Sequence, residues 1–135
     1  MIPRRRASTR ENKQQAKERN IVEAAAKGDI TLNEYAKFVD AVWLNEGKLK
    51  LRDHYIMTVG LSGETGEVME LLKKWVRDGK LDRDQLKKEL GDILYYLVRI
   101  ATAHDLNPQE VMSYNVTKLA DRWSRGVLKG NGNDR

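Results

Sequence analysis

The chain has no cysteine among its 135 residues, so neither a disulfide framework nor thiol chemistry is open to it, and a reducing compartment suits it. No apolar run approaches the length of a bilayer-spanning helix, and the basic start MIPRRRASTR lacks the apolar stretch of a secretory signal. Strand-like alternation and internal repeats are missing too. With two histidines in all, no Ser–His–Asp or Cys–His arrangement is readable. The segment SGETG has the glycines of a phosphate loop but not its GK[ST] ending. These absences leave a single-domain, all-α, cytoplasmic protein with no covalent nucleophile to offer.

Charge narrows the reading once it is located. The formal net charge is +5, but residues 1–20 hold seven basic residues against Glu11 and Glu18, which already accounts for it. Beyond them, acidic and basic residues balance and the remaining chain is neutral. The basic excess therefore belongs to a leader that can touch polyanions weakly, not to a nucleic-acid-binding domain.

What is present is helix. Residues 1–9 are expected to be disordered, and Arg10–Lys27 has helix-forming composition up to Gly28. Thr31 with Glu34 forms a capping box for the next helix, which ends near Gly47. A long helix then starts near Asp53 and stops at Gly79, and Asp82 with Gln85 caps another that runs to about Ala103. Asn107-Pro108 opens the last, to about Ser124. The expected architecture is a bundle of about four core helices over 31–126, with an N-terminal extension over 1–30 and a loose tail over 127–135. Gly60, Gly63 and Gly66 lie inside the long helix, which suggests close approach by another helix or by a ligand.

The chemistry sits on two of these helices. Glu64 and Glu67 lie three residues apart on the first, Glu89 and Asp92 three apart on the second. With Glu64 at zero, Met57 and Trp75 fall at roughly 20°, Val68 at about 40° and Leu61 at about 60° around the helix. With Glu89 at zero, Ile100 falls at roughly 20°, Ile93 at about 40° and Leu86 at about 60° by the same step. Each helix thus places a carboxylate in the middle of its apolar stripe and a second at the edge. Buried carboxylates must be paired, protonated or bound to a cation, and neither stripe carries a cationic residue. An all-oxygen set of four acids favours magnesium, with manganese as the alternative, over zinc.

On the last helix Asn115, Lys118 and Arg122 line one edge beside Val111 and Leu119. That edge suits a phosphate ligand, and it equally suits a solvated flank. His104, near its helix's apolar stripe and at its C-terminal end, reads as a packing or capping residue, not a ligand, and His54 carries no motif.

Together GLSGETGEVMELLKKW, KKELGDILYYLVRIA and NVTKLADRW resemble the MazG-like all-α nucleoside triphosphate pyrophosphohydrolases. Their hallmark of ExxE, a spacer and ExxD is met by Glu64, Glu67, Glu89 and Asp92. The resemblance spans roughly 31–126 and implies magnesium-dependent cleavage of an NTP or dNTP to the monophosphate and pyrophosphate. It implies the four acids as metal ligands, and phosphate contacts from Lys74, Asn115 and Lys118, with Arg122 a weaker carry-over. Trp43 or Trp75 could stack a base, although core packing suits both. It also implies a homodimer or homotetramer. Attack of water on phosphorus needs positioning and charge neutralisation more than covalent help. Glu67, at the stripe's edge with no histidine near it, or a neighbouring acid is expected to orient or deprotonate that water. The competing reading is a non-catalytic helical module that binds nucleic acid through its basic N-terminus.

Overall fold

The structure is a computed structural model that describes residues 19–43 and 50–129. The expectations for residues 1–9, for the start of the first helix at 10–18, for Gly47 and for the tail beyond 129 lie outside the described residues. All regular structure among those described is helical. The chain divides into two compact units, Met1–Leu44 and Asn45–Arg135.

In the first unit α1 covers 19–27 and ends at Gly28, whose φ of 76° lets its N–H reach Ala25 O at 3.1 Å. Glycine adopts that left-handed conformation without the Cβ clash that other residues meet. The following α2, Leu32–Val42, opens on the expected capping box. Glu34 N–H donates to Thr31 Oγ1 at 3.2 Å, and Thr31 N–H donates to Glu34 Oε2 at 2.9 Å. Two otherwise orphaned amides are satisfied by this exchange. Ala36 and Val39 are its buried residues.

The second unit carries the acids. Its α3 spans Leu51–Asp78, 28 residues and about 42 Å at 1.5 Å per residue. Asp53 holds its start by accepting the Lys50 N–H at 2.7 Å. Gly79, at φ 71°, closes its end with an N–H to Trp75 O at 2.8 Å. After a short turn Asp82 accepts the Gln85 N–H at 3.0 Å and starts α4, Arg83–Ala103. Asp105 then turns the chain at φ 57°, and Asn107 accepts the Gln109 N–H at 2.8 Å to start α5, Pro108–Ser124. The caps lie where the sequence put them because each is a local exchange between side chain and backbone.

The turn at 79–82 folds α4 back along α3, and the contacts show the register. His54 meets His104 and Gly60 meets Tyr96, while Glu64 meets Glu89 and Asp92, so the pairs advance along α3 as they recede along α4. At Gly60 a Cβ would overlap the Tyr96 ring and lie 2.7 Å from its hydroxyl oxygen. The expected close approach is real there. At Gly63 and Gly66 nothing among the described residues lies within 4 Å of where a Cβ would stand, so packing among those residues does not account for the two.

Met57 and Val98 are the buried apolar residues of this unit among those described. Much of what the wheel assigned to the core is partly exposed instead, including Trp75 at 45% and Leu119 at 42%. On α5, Met112, Val116, Leu119 and Trp123 recur at the four–three spacing of one helix face, and all are exposed. Among the described residues no helix is long and apolar enough to cross a membrane.

Candidate metal centre

One turn beyond the Gly60–Tyr96 contact, α3 and α4 bring three carboxylates together. Glu64 from α3 and Glu89 and Asp92 from α4 each offer an oxygen, and all three oxygens lie within 4.8 Å of one another. Glu89 is buried, Glu64 half-buried and Asp92 exposed, so the group runs from the helix seam out to solvent. Three like charges at such separations repel, and the structure registers this at Glu64. Burial pushes its carboxyl above the usual range, and the charges of Asp92 and Glu89 push it further, with smaller contributions from a hydrogen bond to Glu89 and from Glu67. No basic group figures among the causes acting on Glu64. A cation supplied from outside the chain would relieve all of these at once.

The donors fit a hard ion. Around magnesium, with oxygens at about 2.1 Å, neighbouring ligands lie about 3 Å apart and opposite ones about 4.2 Å. Oxygens within 4.8 Å need only small side-chain rotations to meet those spacings. Zinc favours sites that include nitrogen or sulfur, and the three residues offer neither. Behind the cluster, the Gln85 side-chain amide donates to Glu89 Oε1. Gln85 is also the residue whose backbone N–H is capped by Asp82, so the helix start and the Glu89 carboxylate are tied to one residue. Sequence reasoning read Gln85 only as part of the cap. Its spacing of four residues before Glu89 was the signal for its second role.

The other expected site residues fall less tightly. Glu67 lies on the next turn of α3, exposed and outside the group of three, and it acts on Glu64 as the weakest of the charges that raise it. Lys74 is about 15 Å further along α3 than Glu64 at the helical rise. Its ammonium lies 3.6 Å from Glu70. Asn115 is exposed and Lys118 half-buried on α5, whereas Arg122 is buried, with 5% of its surface exposed. Asp53 and Arg99 are further buried charged residues that the helical wheel did not single out.

The described residues of this unit form an all-α hairpin and a further helix, with carboxylates from two antiparallel helices gathered into one cluster whose donors suit a hard cation. Residues 52–126, more than half of the chain, match the MazG nucleotide pyrophosphohydrolase domain, and the chain belongs to that family. The match takes in all but the first residue of α3, the whole of α4 and α5, and the acids; the expectation from the motifs reached back to residue 31, and the matched span begins at 52. The chain is also similar to the Gene 37 protein of Mycobacterium phage L5, at 38% identity over 84 residues, covering 58% of this chain and 74% of that protein. No solved structure matches.

Proposed function

We propose that the protein is a magnesium-dependent nucleotide pyrophosphohydrolase, cleaving an NTP or dNTP with water to the (d)NMP and pyrophosphate. The observation that carries this reading is the meeting of Glu64, Glu89 and Asp92 within 4.8 Å on a domain of this family. These three would hold magnesium, with manganese as the alternative, and Glu67 would join them as a fourth ligand or act beside them. The bound ion would supply charge neutralisation to the phosphates and orientation to the water.

The remaining roles belong to the chain's own residues. Gln85 fixes the Glu89 carboxylate through its amide and keeps one lone pair of that group committed. Glu67, exposed on the turn after Glu64, takes a proton from water as its oxygen bonds to the α-phosphorus. The bond from that phosphorus to the oxygen bridging to the β-phosphate breaks, and pyrophosphate leaves with the electron pair. Lys74, Asn115 and Lys118 are assigned to the phosphates, where each loses the competition with water unless the substrate is multiply charged. Lys74 would have to exchange its exposed Glu70 partner for phosphate, which costs little at the surface. Arg122 is assigned there too, but its burial makes it the least direct of the four.

The exposed apolar residues that share one face of α5, with the exposed Trp75, favour assembly as a homodimer or homotetramer, since contiguous apolar faces are often interaction surfaces. A cytoplasmic location agrees with a nucleotide substrate and with the lack of cysteine. The alternative, a non-catalytic module binding nucleic acid through the basic N-terminus, rests on residues outside those described. It leaves three crowded carboxylates without a purpose.

A panel of NTPs and dNTPs with magnesium, assayed for monophosphate and pyrophosphate, tests the proposal. Release of orthophosphate in place of pyrophosphate would move the point of cleavage and overturn it.

A further inference from the structure

A pair of histidine side chains meets at the open end of the α3–α4 hairpin, away from its turn. His54 stands at the end of the first turn of α3, and His104 is the C-cap of α4. Although far apart in sequence, their imidazole rings are 5.0 Å apart between centres, with planes tilted by 44°. His54 is half-buried and His104 exposed. Their one side-chain interaction among the described residues is with each other.

We propose that His54 and His104 form a two-imidazole site for a transition metal ion such as zinc or nickel, separate from the acidic centre. The spacing carries the argument. A metal about 2.1 Å from one nitrogen of each ring sits about 3.2 Å from each ring centre, and a tetrahedral angle then sets the centres about 5.2 Å apart. The observed 5.0 Å lies close to that figure. Because His104 is exposed, the remaining coordination positions are open to water.

The two centres differ in place and in chemistry. His54 precedes Glu64 by ten residues, about 15 Å along α3 at the helical rise. Imidazole nitrogen selects zinc, nickel or copper, whereas the acidic cluster offers oxygen alone to magnesium or manganese. An ion on both rings ties the start of α3 to the end of α4, closing the hairpin where its own turn gives no support. Since an unfolded chain holds the two histidines far apart, the ion binds the folded state preferentially and stabilises it.

The test uses the untagged full chain, stripped of metal and titrated calorimetrically with zinc and, separately, with nickel. The variants are His54→Ala, His54→Gln, His104→Ala and the double variant Glu64→Gln with Asp92→Asn. The expected result is a nickel or zinc site that weakens at least tenfold in each histidine variant and persists in the acid double variant. A thermal upshift with the metal should appear in the wild type and disappear with either histidine. If His54→Ala folds poorly, His54→Gln and the exposed His104→Ala carry the same comparison. Absence of such binding in the wild type, binding unchanged in the histidine variants, or binding that disappears with the acids alone would each overturn the proposal. None of these outcomes depends on pyrophosphohydrolase activity.

Discussion

Replacing Glu64 by Gln removes one charge from the cluster while keeping the side chain's shape and its capacity to accept hydrogen bonds. Two unit charges about 4.8 Å apart repel by about 1 kcal/mol in water-like surroundings and by about 3.5 kcal/mol at an effective dielectric constant near 20. The half-buried setting of Glu64 and the exposure of Asp92 place the relief toward the lower figure for each neighbour. Without added metal at pH 7, Glu64→Gln should therefore melt higher than the wild type. For a domain of this size each kcal/mol is worth about 4–8 °C. With magnesium the order should change, because the variant has lost a ligand and gains less from the ion.

The pH dependence follows from the same group. Glu64's folded-state carboxyl is raised by burial and by Asp92 and Glu89, so the folded chain holds that proton more tightly than the unfolded chain. The resulting stability is present below the ordinary glutamate value and is lost as pH rises through the raised one. Metal-free wild type should therefore gain stability relative to Glu64→Gln as pH is lowered from 7 toward the ordinary glutamate range. The magnesium-induced upshift should grow with rising pH over the same window, since the ion displaces the proton. Melting curves at a series of pH values, with and without magnesium, read both effects. A metal-free Glu64→Gln that melts below the wild type at pH 7 would refute the reasoning, since it would mean that Glu64 is held by a favourable partner.

Gly60→Ala should destabilise by about 1–3 kcal/mol through overlap with Tyr96, whereas Gly63→Ala should stabilise by up to about 1 kcal/mol; denaturant melts compare them. Thr31→Ala should cost about 1 kcal/mol by removing one side of the capping box, read in the same assay. Gln85→Ala should weaken magnesium binding about 10–100-fold, as expected when a group that orients a metal ligand is removed, and calorimetry measures it. Glu67→Gln should lower turnover by at least about a hundredfold with little change in nucleotide affinity, and near-normal turnover would remove Glu67 as the base.

The helices were legible because their boundaries are written in local chemistry. Thr31 with Glu34, Gly79, Asp82 and Asn107-Pro108 each satisfy or replace a terminal backbone group, and none needs a distant residue to do so. The apolar placement of Glu64 and Glu89 was legible because a helical step of about 100° fixes which residues share a face. What a helical wheel does not contain is the partner helix. Glu67 and Asp92 occupy equivalent edges of their stripes, yet Asp92 joins the cluster and Glu67 stays outside it. Arg122 and Lys118 were read as one edge, yet one is buried and the other half-buried. The two histidines looked unrelated because antiparallel packing alone brings residues 54 and 104 side by side.

The residue that converts these local patterns into a site is Gly60. Tyr96 lies where a Cβ on Gly60 would stand, so that close contact favours the observed register of α4 along α3. Glu64 is four residues, one turn, after Gly60, and Asp92 is four residues before Tyr96. In antiparallel helices those equal steps carry the two carboxylates to the same level. A shift of α4 by one turn, about 5.4 Å, would separate acids that now lie within 4.8 Å. Gly60→Ala should therefore lose more than stability. If it forces α4 to slide or tilt, magnesium affinity should fall in a variant whose acids are all intact, while Gly63→Ala binds as the wild type does. Magnesium titration of both variants under conditions where each is fully folded decides this. Equal affinity in the two would show that the acids find one another without the Gly60–Tyr96 register.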